Sequence, residues 1–360
     1  MNILIINFKD IKHPKAGGSE LYFHEMAKVW IKEGHKVFWI SGGWKKCKKK
    51  EIVDGVNIKR VGKRFSVYLL VPFEYFRLQE KIDLIIDVEN GIPFFTPLFS
   101  KIKKVLHIHH IHKDIWFKEM KFPFSYIGCF LESVVMPRVY KNEKIITISD
   151  SSANEILKEN YSSSYPKIVN PGINFNTYKK FNKTKKPSIL FLNRIMKYKG
   201  LLILLKAIKI LQGKNKKDLD LWIAGYGDDI ERMKKYVKKN NLKNVEFFGK
   251  ISEEEKIGLM QKAWIFVNPS FKEGWGIVNI EANYFGTPVI GSDIGGIKDS
   301  IVDKKTGLLF EYGNERELAE KIESLLENEE LRKELSKEAV KWAKKFSWER
   351  TAKEYLKAIY

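Results

Sequence analysis

The stretch WIFVNPSFKEGWGIVNIEANYFGTPVIG, residues 264–291, contains a strand, a turn, a helix and a second strand in that order. A short apolar run at 264–268 is followed by a glycine-rich turn and a helix-like run at 277–284. A second apolar run follows at 288–291. This order is typical of a parallel sheet covered by helices on both faces.

The same alternation recurs along the chain in two sets. The first set comprises strands at 2–7, 36–41, 83–88, 105–109 and 144–149 and helices at 19–33 and 124–140. The second set comprises strands at 188–192, 219–224, 245–248, 264–268 and 288–291 and helices at 199–212, 228–240, 252–262, 277–284, 315–326 and 348–360. The sequence therefore predicts an α/β protein in which strands and helices alternate twice over.

A segment rich in proline, asparagine, lysine and glycine separates the two sets. We therefore predict two Rossmann-like, doubly wound domains at residues 1–170 and 187–346, joined by a linker at 171–186. In such domains ligands bind beyond the carboxyl ends of the strands, so that facing domains would share a cleft.

Composition limits the cellular setting and the partners. The 360 residues carry a formal net charge of +21. The two cysteines, Cys47 and Cys129, fit neither a disulfide framework nor a metal-ligand spacing. The apolar runs are shorter than the roughly 20 residues that cross a bilayer, and the N-terminus is typical of a strand rather than a signal peptide. These features predict a cytoplasmic protein.

The basic charge has several readings. It is compatible with a solvated lysine-rich surface, with an anionic membrane surface, with nucleic acid or with an acidic small substrate. Nucleic acid is disfavoured because the lysines are scattered through both halves and no nucleic-acid-binding motif is present. Charge alone does not choose among the remaining readings.

Glu273 and its neighbouring glycines lie in the predicted turn between strand 264–268 and the following helix. Glycines there allow a bound group to approach the backbone, and the first N–H groups of a helix favour an anion such as phosphate. Glu281, further along the helix, could accept hydrogen bonds from a ribose, and Glu273 from a second sugar. Alternatively, both acids are solvated residues that flank the helix.

Two further segments also lie between a strand and a helix. Arg194 and Lys199 follow strand 188–192 and could bind a pyrophosphate, or could be two of many surface cations. Gly17 and Gly18 open the first predicted helix and could face the same anion from the other domain, or form a simple turn.

A run of histidines ends strand 105–109. His107 and His109 share a face of the strand, whereas His110 and His112 lie where the strand ends. Imidazoles are common active-site groups and metal ligands, and histidines can also be packed or exposed without a function. No acidic or cysteine partner lies at a recognisable spacing nearby. We therefore predict an active-site imidazole and no metal.

Together these four motifs resemble those of the retaining glycosyltransferases of family GT4, which have the two-domain GT-B fold. The resemblance covers nearly the whole chain and is strongest over 269–296 and 307–310. This part is similar to the family's motif of two glutamates separated by seven residues, with its downstream glycine-rich turn.

The resemblance implies a role for each residue. Glu273 would contact hydroxyls of the transferred sugar, Glu281 the nucleotide ribose, and Arg194 with Lys199 the diphosphate. The other implied donor-binding residues are Gly17, Gly18, Gly274, Trp275, Gly276, Ile277 and Val278 around the diphosphate and the sugar, and Ile251 at the nucleobase. His109 best matches the active-site histidine, although His110 stands where the family often has aspartate, so the choice between them stays open. The helix at 347–360 would pack on the first domain.

The implied function is retaining transfer of a hexose from a UDP-sugar or GDP-sugar to a hydroxyl acceptor. The acceptor would be a glycan, a glycolipid or a small molecule, and no cofactor or metal is implied. The aromatic segment 64–76 could bind the inner membrane face, or could be a buried helix. A non-catalytic sugar-nucleotide binder, an epimerase on the same fold and a nucleic-acid-binding protein are the alternative functions.

Overall fold

The computed structural model describes residues 1–63, 65–113, 116–117, 120–174, 180–214 and 218–360. These residues form two compact units. The N-terminal unit is Met1–Gly172 together with Ser347–Tyr360, and the C-terminal unit is Ile173–Phe346. Residues 175–179 of the predicted linker and residue 64 lie outside the described residues.

The N-terminal unit contains an eight-stranded sheet in the order β3-β4-β2-β1-β5-β6-β7-β8. All neighbouring strands are parallel except β3 and β4. The strands are β1 Asn2–Ile6, β2 Lys36–Gly42, β3 Lys50–Val53, β4 Val56–Val61, β5 Leu84–Glu89, β6 Lys104–Ile108, β7 Lys144–Thr147 and β8 Lys167–Ile168. The helices are α1 Gly18–Lys32, α2 Ser66–Phe76, α3 Phe124–Phe130, a π-helical turn Leu131–Val135, α4 Met136–Val139 and α5 Asp150–Lys158.

The C-terminal unit contains a six-stranded parallel sheet in the order β11-β10-β9-β12-β13-β14. The strands are β9 Ser188–Leu192, β10 Asp220–Ala224, β11 Val245–Gly249, β12 Ile265–Asn268, β13 Val289–Ser292 and β14 Gly307–Phe310. The helices are α6 Leu201–Gly213, α7 Ile230–Lys239, α8 Glu253–Lys262, α9 Ile277–Tyr284, α10 Gly295–Ser300, α11 Glu315–Glu327 and α12 Glu329–Ala343. A short 3₁₀ turn, Lys197–Lys199, precedes α6.

The central strands are nearly continuous apolar runs because helices cover both faces of each sheet. Ile3, Leu4, Ile5 and Ile6 of β1 are all fully buried, as are the core residues of β9. All the strands predicted from the sequence are present, with bounds close to the predicted ones. The predicted α/β architecture with two parallel-sheet domains is therefore confirmed.

The hairpin formed by β3 and β4 was not predicted. Asp54 and Gly55 connect the two strands, with φ angles of 49° and 84°. An Asp-Gly pair between apolar residues is a standard signal for a two-residue hairpin turn, because both positions need positive φ. The lysine-rich segment at residues 45–50 comes just before this hairpin, and its charge made the strand signal weak.

The last helix, α13 (Trp348–Ile359), packs on the N-terminal unit. Trp30 Nε1 donates a hydrogen bond to the carbonyl of Ala352 at 3.0 Å. Tyr355 is buried and its hydroxyl lies 3.2 Å from Nδ1 of His107. The N-terminal unit is therefore built from two separate parts of the chain.

The described end of the predicted linker packs against the C-terminal unit. The N–H of Phe181 donates to Gln261 Oε1 at 2.7 Å. Lys183 Nζ donates to the carbonyl of Ala263 at 2.7 Å, and burial lowers the pKa of Lys183 to about 7. These residues behave as part of that unit's fold.

The interpretation of the aromatic segment as a buried helix is wrong for one face of α2. Leu69 and Phe73 are 73% and 63% exposed. Phe65, just before α2, stacks on Phe124 of α3 with ring centroids 5.5 Å apart, and Phe130 of α3 is also exposed. We call Phe65, Leu69, Phe73, Phe124 and Phe130 the apolar patch.

None of the helices within the described ranges has both the length and the apolar character that crossing a membrane requires.

Candidate functional site

The candidate donor site lies at the carboxyl edge of the sheet in the C-terminal unit. Strands β9 and β12 are parallel neighbours, so the loops that follow them, 193–200 and 269–276, emerge side by side. This is the position where the strand order reverses and where doubly wound sheets bind ligands. The N–H of Phe271 donates to the carbonyl of Tyr198 at 2.7 Å, which links the two loops directly.

Glycines allow these loops to approach one another. Gly200 has φ of 72°, and a Cβ there would lie 1.9 Å from the carbonyl oxygen of Pro269. Gly225 and Gly227, after β10, have a similar role, since Cβ atoms there would lie 1.9 Å and 2.3 Å from carbonyl oxygens of the loop after β9. Larger residues would therefore displace the loop that carries Arg194 and Lys199.

Lys199 and Glu273 form an ion pair at the meeting point of the two loops. Lys199 is buried, and the same Glu273 oxygen accepts a hydrogen bond from Asn193 Nδ2 at 3.2 Å. The structure thus brings together two side chains, 74 positions apart in the sequence, that were predicted to bind diphosphate and sugar. Arg194 is exposed on the same loop.

The turn after β12 leads into α9 through Gly276. Gly276 has φ of 83°, and a Cβ there would lie 2.7 Å from Asn279 Nδ2. The first N–H groups of a helix have no intrahelical partners and carry the positive end of the helix dipole. Ile277 and Val278 begin α9 at this edge, so the predicted anion-binding backbone and Lys199 belong to the same edge of the sheet.

Trp275 has a different environment from the rest of the turn. Its side chain is only 4% exposed and packs edge-on against Phe346, with ring centroids 5.4 Å apart. The buried ring therefore holds the turn in place. Any contact between Trp275 and a donor would be made by its backbone. Gly274 also packs closely, because a Cβ on Gly296 would lie 2.0 Å from its carbonyl oxygen.

A buried polar network supports the turn, and the sequence reasoning missed it. Asn268 Nδ2 donates to Asn279 Oδ1 at 2.9 Å, and Asn279 Nδ2 donates to Ser300 Oγ at 2.9 Å. Ser270 Oγ donates to Asn268 Oδ1 at 2.7 Å. Because buried amides are expensive to leave unbonded, this chain fixes β12, α9 and α10 relative to one another. The sequence feature that could have predicted this network is the pair of asparagines, one at the end of a strand and one inside the next helix.

Glu281 is paired with a cation on a neighbouring helix. Its Oε1 accepts from Lys256 Nζ at 2.8 Å, and Lys256 also pairs with Glu253. Burial raises the pKa of Glu281, and the charge of Lys256 opposes that rise. Ile251 and Val278 pack in one apolar cluster beside this helix. The predicted nucleobase and diphosphate positions thus pack against one apolar cluster, whereas Glu281 contacts Lys256 rather than Lys199 or Glu273.

The glycine turn of the N-terminal unit has an internal partner. Gly17 is the N-cap of α1, and its N–H donates to Glu20 Oε2 at 2.6 Å. That N–H is therefore already engaged by a carboxylate. Gly18, the first residue of α1, is exposed, and a Cβ there would meet nothing within 4 Å.

His107 and His109 are buried in an aromatic cluster. His107 Nε2 lies 3.4 Å from His109 Nδ1, and both rings pack against Tyr22 and Phe23. Burial lowers the pKa of His109 to about 3, with the charge of His112 adding to the effect. Both imidazoles are therefore neutral at physiological pH. Nε2 of His109 has no hydrogen-bond partner among the described residues, although it is buried.

His112 lies beside two acids that the sequence reasoning missed. His112 Nδ1 lies 3.3 Å from Glu89 Oε1, and the N–H of His112 donates to Glu132 Oε1 at 2.6 Å. No acid lies at a recognisable spacing from the histidines in the sequence, yet the structure brings Glu132, twenty positions after His112, into contact with it. Burial raises the pKa of Glu132 to about 8, and the charge of Glu89 adds to that rise. In the sequence, Glu132 is marked only as the single acid between Phe124 and Val139, which does not by itself connect it with His112.

Two family models match the chain and together cover most of it. The model described as Glycosyltransferase Family 4 matches residues 16–177, and the model described as Glycosyl transferases group 1 matches residues 174–342. The chain belongs to the GT4-type glycosyltransferases. The resemblance found in the sequence is thereby confirmed.

Relatives and solved structures agree with this assignment. An uncharacterised glycosyltransferase of Methanocaldococcus jannaschii is 35% identical over 209 residues, which are 58% of this chain and 57% of that protein. The match thus spans little more than half of that relative. The structure of sucrose-phosphate synthase from Thermosynechococcus elongatus gives a TM-score of 0.82 at 19% identity, covering 99% of this chain and 97% of that one. The HepE protein of Anabaena in complex with UDP-glucose gives a TM-score of 0.77 at 17% identity, covering 99% and 98%. These likenesses identify the fold as GT-B.

Proposed function

We propose that this protein transfers a hexose from a nucleoside-diphosphate sugar to a hydroxyl acceptor, with retention of configuration at the anomeric carbon. The pairing of Lys199 with Glu273, at the loop that begins α9, is the observation that carries this proposal. It combines a cation suited to a diphosphate with a carboxylate suited to sugar hydroxyls. Family membership and the UDP-glucose complex of the HepE structure support a nucleotide sugar as the donor.

Leaving-group stabilisation is the main contribution of the C-terminal unit to this reaction. As the bond to the anomeric carbon breaks, negative charge grows on the departing phosphate oxygen. Lys199, Arg194 and the N-terminus of α9 would stabilise that charge more in the transition state than in the ground state. These groups need neither a cofactor nor a metal ion at the diphosphate.

Binding of the donor would rearrange the ion pair. The diphosphate takes over part of the charge of Lys199, which frees Glu273 to accept hydrogen bonds from the transferred sugar. Glu281 accepts from the ribose hydroxyls, and the backbone at Ile251 meets the nucleobase. In the N-terminal unit, Gly18 is the better candidate for a backbone contact with phosphate, because the N–H of Gly17 is engaged by Glu20.

His109 is our candidate for the active-site histidine. Its neutral imidazole has a buried Nε2 without a partner among the described residues, so it can exchange a hydrogen bond with a sugar hydroxyl. His110, the alternative, stacks on His112 with ring centroids 4.4 Å apart. That packing occupies one face of His110 and favours His109 for the role.

A screen of nucleotides by thermal unfolding tests donor binding. UDP, GDP and their hexose conjugates are compared with the nucleoside monophosphates. A ligand at 100 times its dissociation constant stabilises the folded state by about 2.7 kcal/mol. Failure of every nucleoside diphosphate to raise the midpoint would contradict the proposal. Donor consumption with and without an acceptor then separates a transferase from a binder or an epimerase.

The acceptor is proposed to be a lipid-linked or cell-surface glycan precursor at the inner membrane face. The apolar patch and the net charge of +21 support binding to an anionic membrane, since exposed apolar side chains insert while lysines attract acidic headgroups. The protein should float with anionic vesicles at low salt and less so at high salt.

The double variant Leu69→Ser/Phe73→Ser should lose flotation, whereas Leu98→Ser should not. Leu98 is a matched control because it is 71% exposed but lies outside the apolar patch. Equal flotation of both variants, or equal binding of wild type to neutral vesicles, would contradict a role for the apolar patch on anionic lipid.

A further inference from the structure

We propose that Glu89, His112 and Glu132 of the N-terminal unit form a binding site for a divalent transition-metal ion, with Mn²⁺ or Zn²⁺ as its occupant. One ligand atom from each residue lies within 4.8 Å of the other two. This site goes beyond the proposed transfer reaction, since none of the three residues is among those assigned to the donor.

Three separate elements converge on this site. Glu89 is the last residue of β5, His112 lies in the loop after β6, and Glu132 lies in the π-helical turn. Glu89 and Glu132 are fully buried, and His112 is partly buried. Two carboxylates are thus enclosed together in the interior, an arrangement that is costly unless a cation or a proton neutralises them.

A comparison with Asp87 shows that one carboxylate oxygen of Glu89 lacks a partner in the described part of the chain, whereas its Oε1 accepts from the N–H of Gly91. Asp87, two positions earlier on β5, accepts hydrogen bonds from the N–H groups of Phe94 at 2.9 Å and Thr96 at 3.2 Å and from the Tyr140 hydroxyl. The Oε2 atom of Glu89 is equally buried but has no hydrogen-bond partner among the described residues. An orphaned, buried carboxylate oxygen beside two further metal-ligating groups is a suitable ligand position for a cation.

The donor set selects the kind of metal. Two carboxylates and one imidazole suit Mn²⁺ and Zn²⁺, whereas Mg²⁺ prefers oxygen ligands and retains its water. Three protein ligands are the number found in sites that keep a coordination position for water. Trp116 Nε1 donates to Glu132 Oε2 at 2.8 Å, which orients that carboxylate in the way that outer-shell groups orient ligands.

Such an ion would also order the loop after β6. His109 and His112 flank a short segment, and the carbonyl of His109 accepts from Ser152 Oγ at 3.0 Å at its other end. A metal at His112 would fix the second end of the segment. The ion would therefore position the candidate histidine without contacting it.

Equilibrium binding of Mn²⁺ to tag-free, EDTA-treated protein tests the proposal. Electron paramagnetic resonance measures the free and bound Mn²⁺, and no nucleotide is present. We expect one tight equivalent of Mn²⁺ per chain, displaced by Zn²⁺ and not by equimolar Mg²⁺. Glu132→Gln and His112→Asn should each weaken binding by at least about tenfold, the lower range seen even for loss of outer-shell groups. Glu159→Gln is the control, since that surface acid pairs with Lys113 nearby.

Folding of the variants is checked in the presence of EDTA. Glu132→Gln keeps the size of the side chain and still accepts one of its two hydrogen bonds, so its unfolding midpoint without metal should lie close to that of wild type. Mn²⁺ should then raise the midpoint of wild type and of Glu159→Gln only. Absence of a stoichiometric site in wild type, or equal affinity in a folded Glu132→Gln or His112→Asn variant, would overturn the proposal and leave the two carboxyls sharing a proton. Nucleotide binding in the C-terminal unit is measured separately, so failure here does not affect the proposed function.

Discussion

The carboxyl edges of the two sheets arrange their titratable groups in opposite ways. In the C-terminal unit, opposite charges are paired, Lys199 with Glu273 and Glu281 with Lys256. In the N-terminal unit, like groups are packed together out of water, His107 beside His109 and Glu89 near Glu132. Each edge lies where a doubly wound sheet binds ligands. The difference in charge pairing therefore affects how each edge can bind a ligand.

We call the edge of the C-terminal sheet that carries the pairs Lys199–Glu273 and Glu281–Lys256 the paired edge. Its side chains can exchange a protein partner for a ligand. A diphosphate replaces Glu273 beside Lys199, and sugar hydroxyls replace Lys199 beside Glu273, so no charge is left buried alone.

We call the edge of the N-terminal sheet that carries His107, His109, Glu89 and Glu132 the unpaired edge. No such exchange is possible there. His107 and His109 stay neutral because burial lowers their pKa values, and the buried Oε2 of Glu89 has no protein partner among the described residues to exchange.

The largest expected effect tests the paired edge. Lys199→Met should lower kcat for transfer by about 10² to 10³, the usual result of removing one fixed donor to a developing oxyanion. Lys197→Met is the matched control, because Lys197 lies in the same 3₁₀ turn but is exposed. Steady-state kinetics with a saturating donor gives the comparison.

The double variant Lys199→Met/Glu273→Gln separates a shared role from two independent ones. Because the two side chains contact each other and would bind one ligand, their effects should not add. Additive losses in kcat would show that each acts alone. A wild-type rate for Lys199→Met would remove the leaving-group role assigned to the ion pair.

The second prediction concerns stability at the unpaired edge. The pKa of His109 is about 3 in the folded state and near 6.5 when unfolded, so between these values only the unfolded state binds the proton. Stability therefore falls as pH falls below 6.5, by about 2 kcal/mol at pH 5 for this one group. Urea unfolding at pH 7 and pH 5 should show that loss in wild type and less of it in His109→Asn.

His35→Asn serves as the reference for that experiment. The pKa of His35 is lowered by partial burial and by the N-terminal ammonium group, but His35 lies at the surface of the unit. Its replacement should leave most of the pH dependence in place. Identical pH dependence for wild type and His109→Asn would mean that folding does not lower the pKa of His109.

The paired edge was largely predictable from the sequence. Lys199 and Glu273 each follow an apolar strand, and carboxyl ends of neighbouring parallel strands meet at one edge whatever their separation in sequence. Gly200 lies against the backbone of Pro269, and Gly276, with its positive φ, lies against the side chain of Asn279. Periodicity and turn chemistry together were sufficient to bring the two side chains together.

The unpaired edge was not predictable because its partners have no characteristic spacing. Glu132, which contacts His112, lies in a π-helical turn after α3, and the alternation of apolar residues does not predict that turn. The packing of His107 between Tyr22 and Tyr355 likewise depends on a helix from the far end of the chain. Long-range packing, not local propensity, determines this edge.

The smallest expected effect tests whether Glu281 binds ribose or only forms an ion pair with Lys256. Glu281→Gln should raise the dissociation constant of the nucleoside diphosphate by about tenfold, since hydrogen bonds from hydroxyls to a carboxylate are worth more than those to an amide. Glu253→Gln is the matched control, because Glu253 also pairs with Lys256 but its side chain is 66% exposed. Isothermal titration with ribo- and 2′-deoxy- or 3′-deoxynucleotides sharpens the test. Wild type should prefer the ribonucleotide and Glu281→Gln should not, whereas an unchanged preference would assign Glu281 to the ion pair with Lys256 alone.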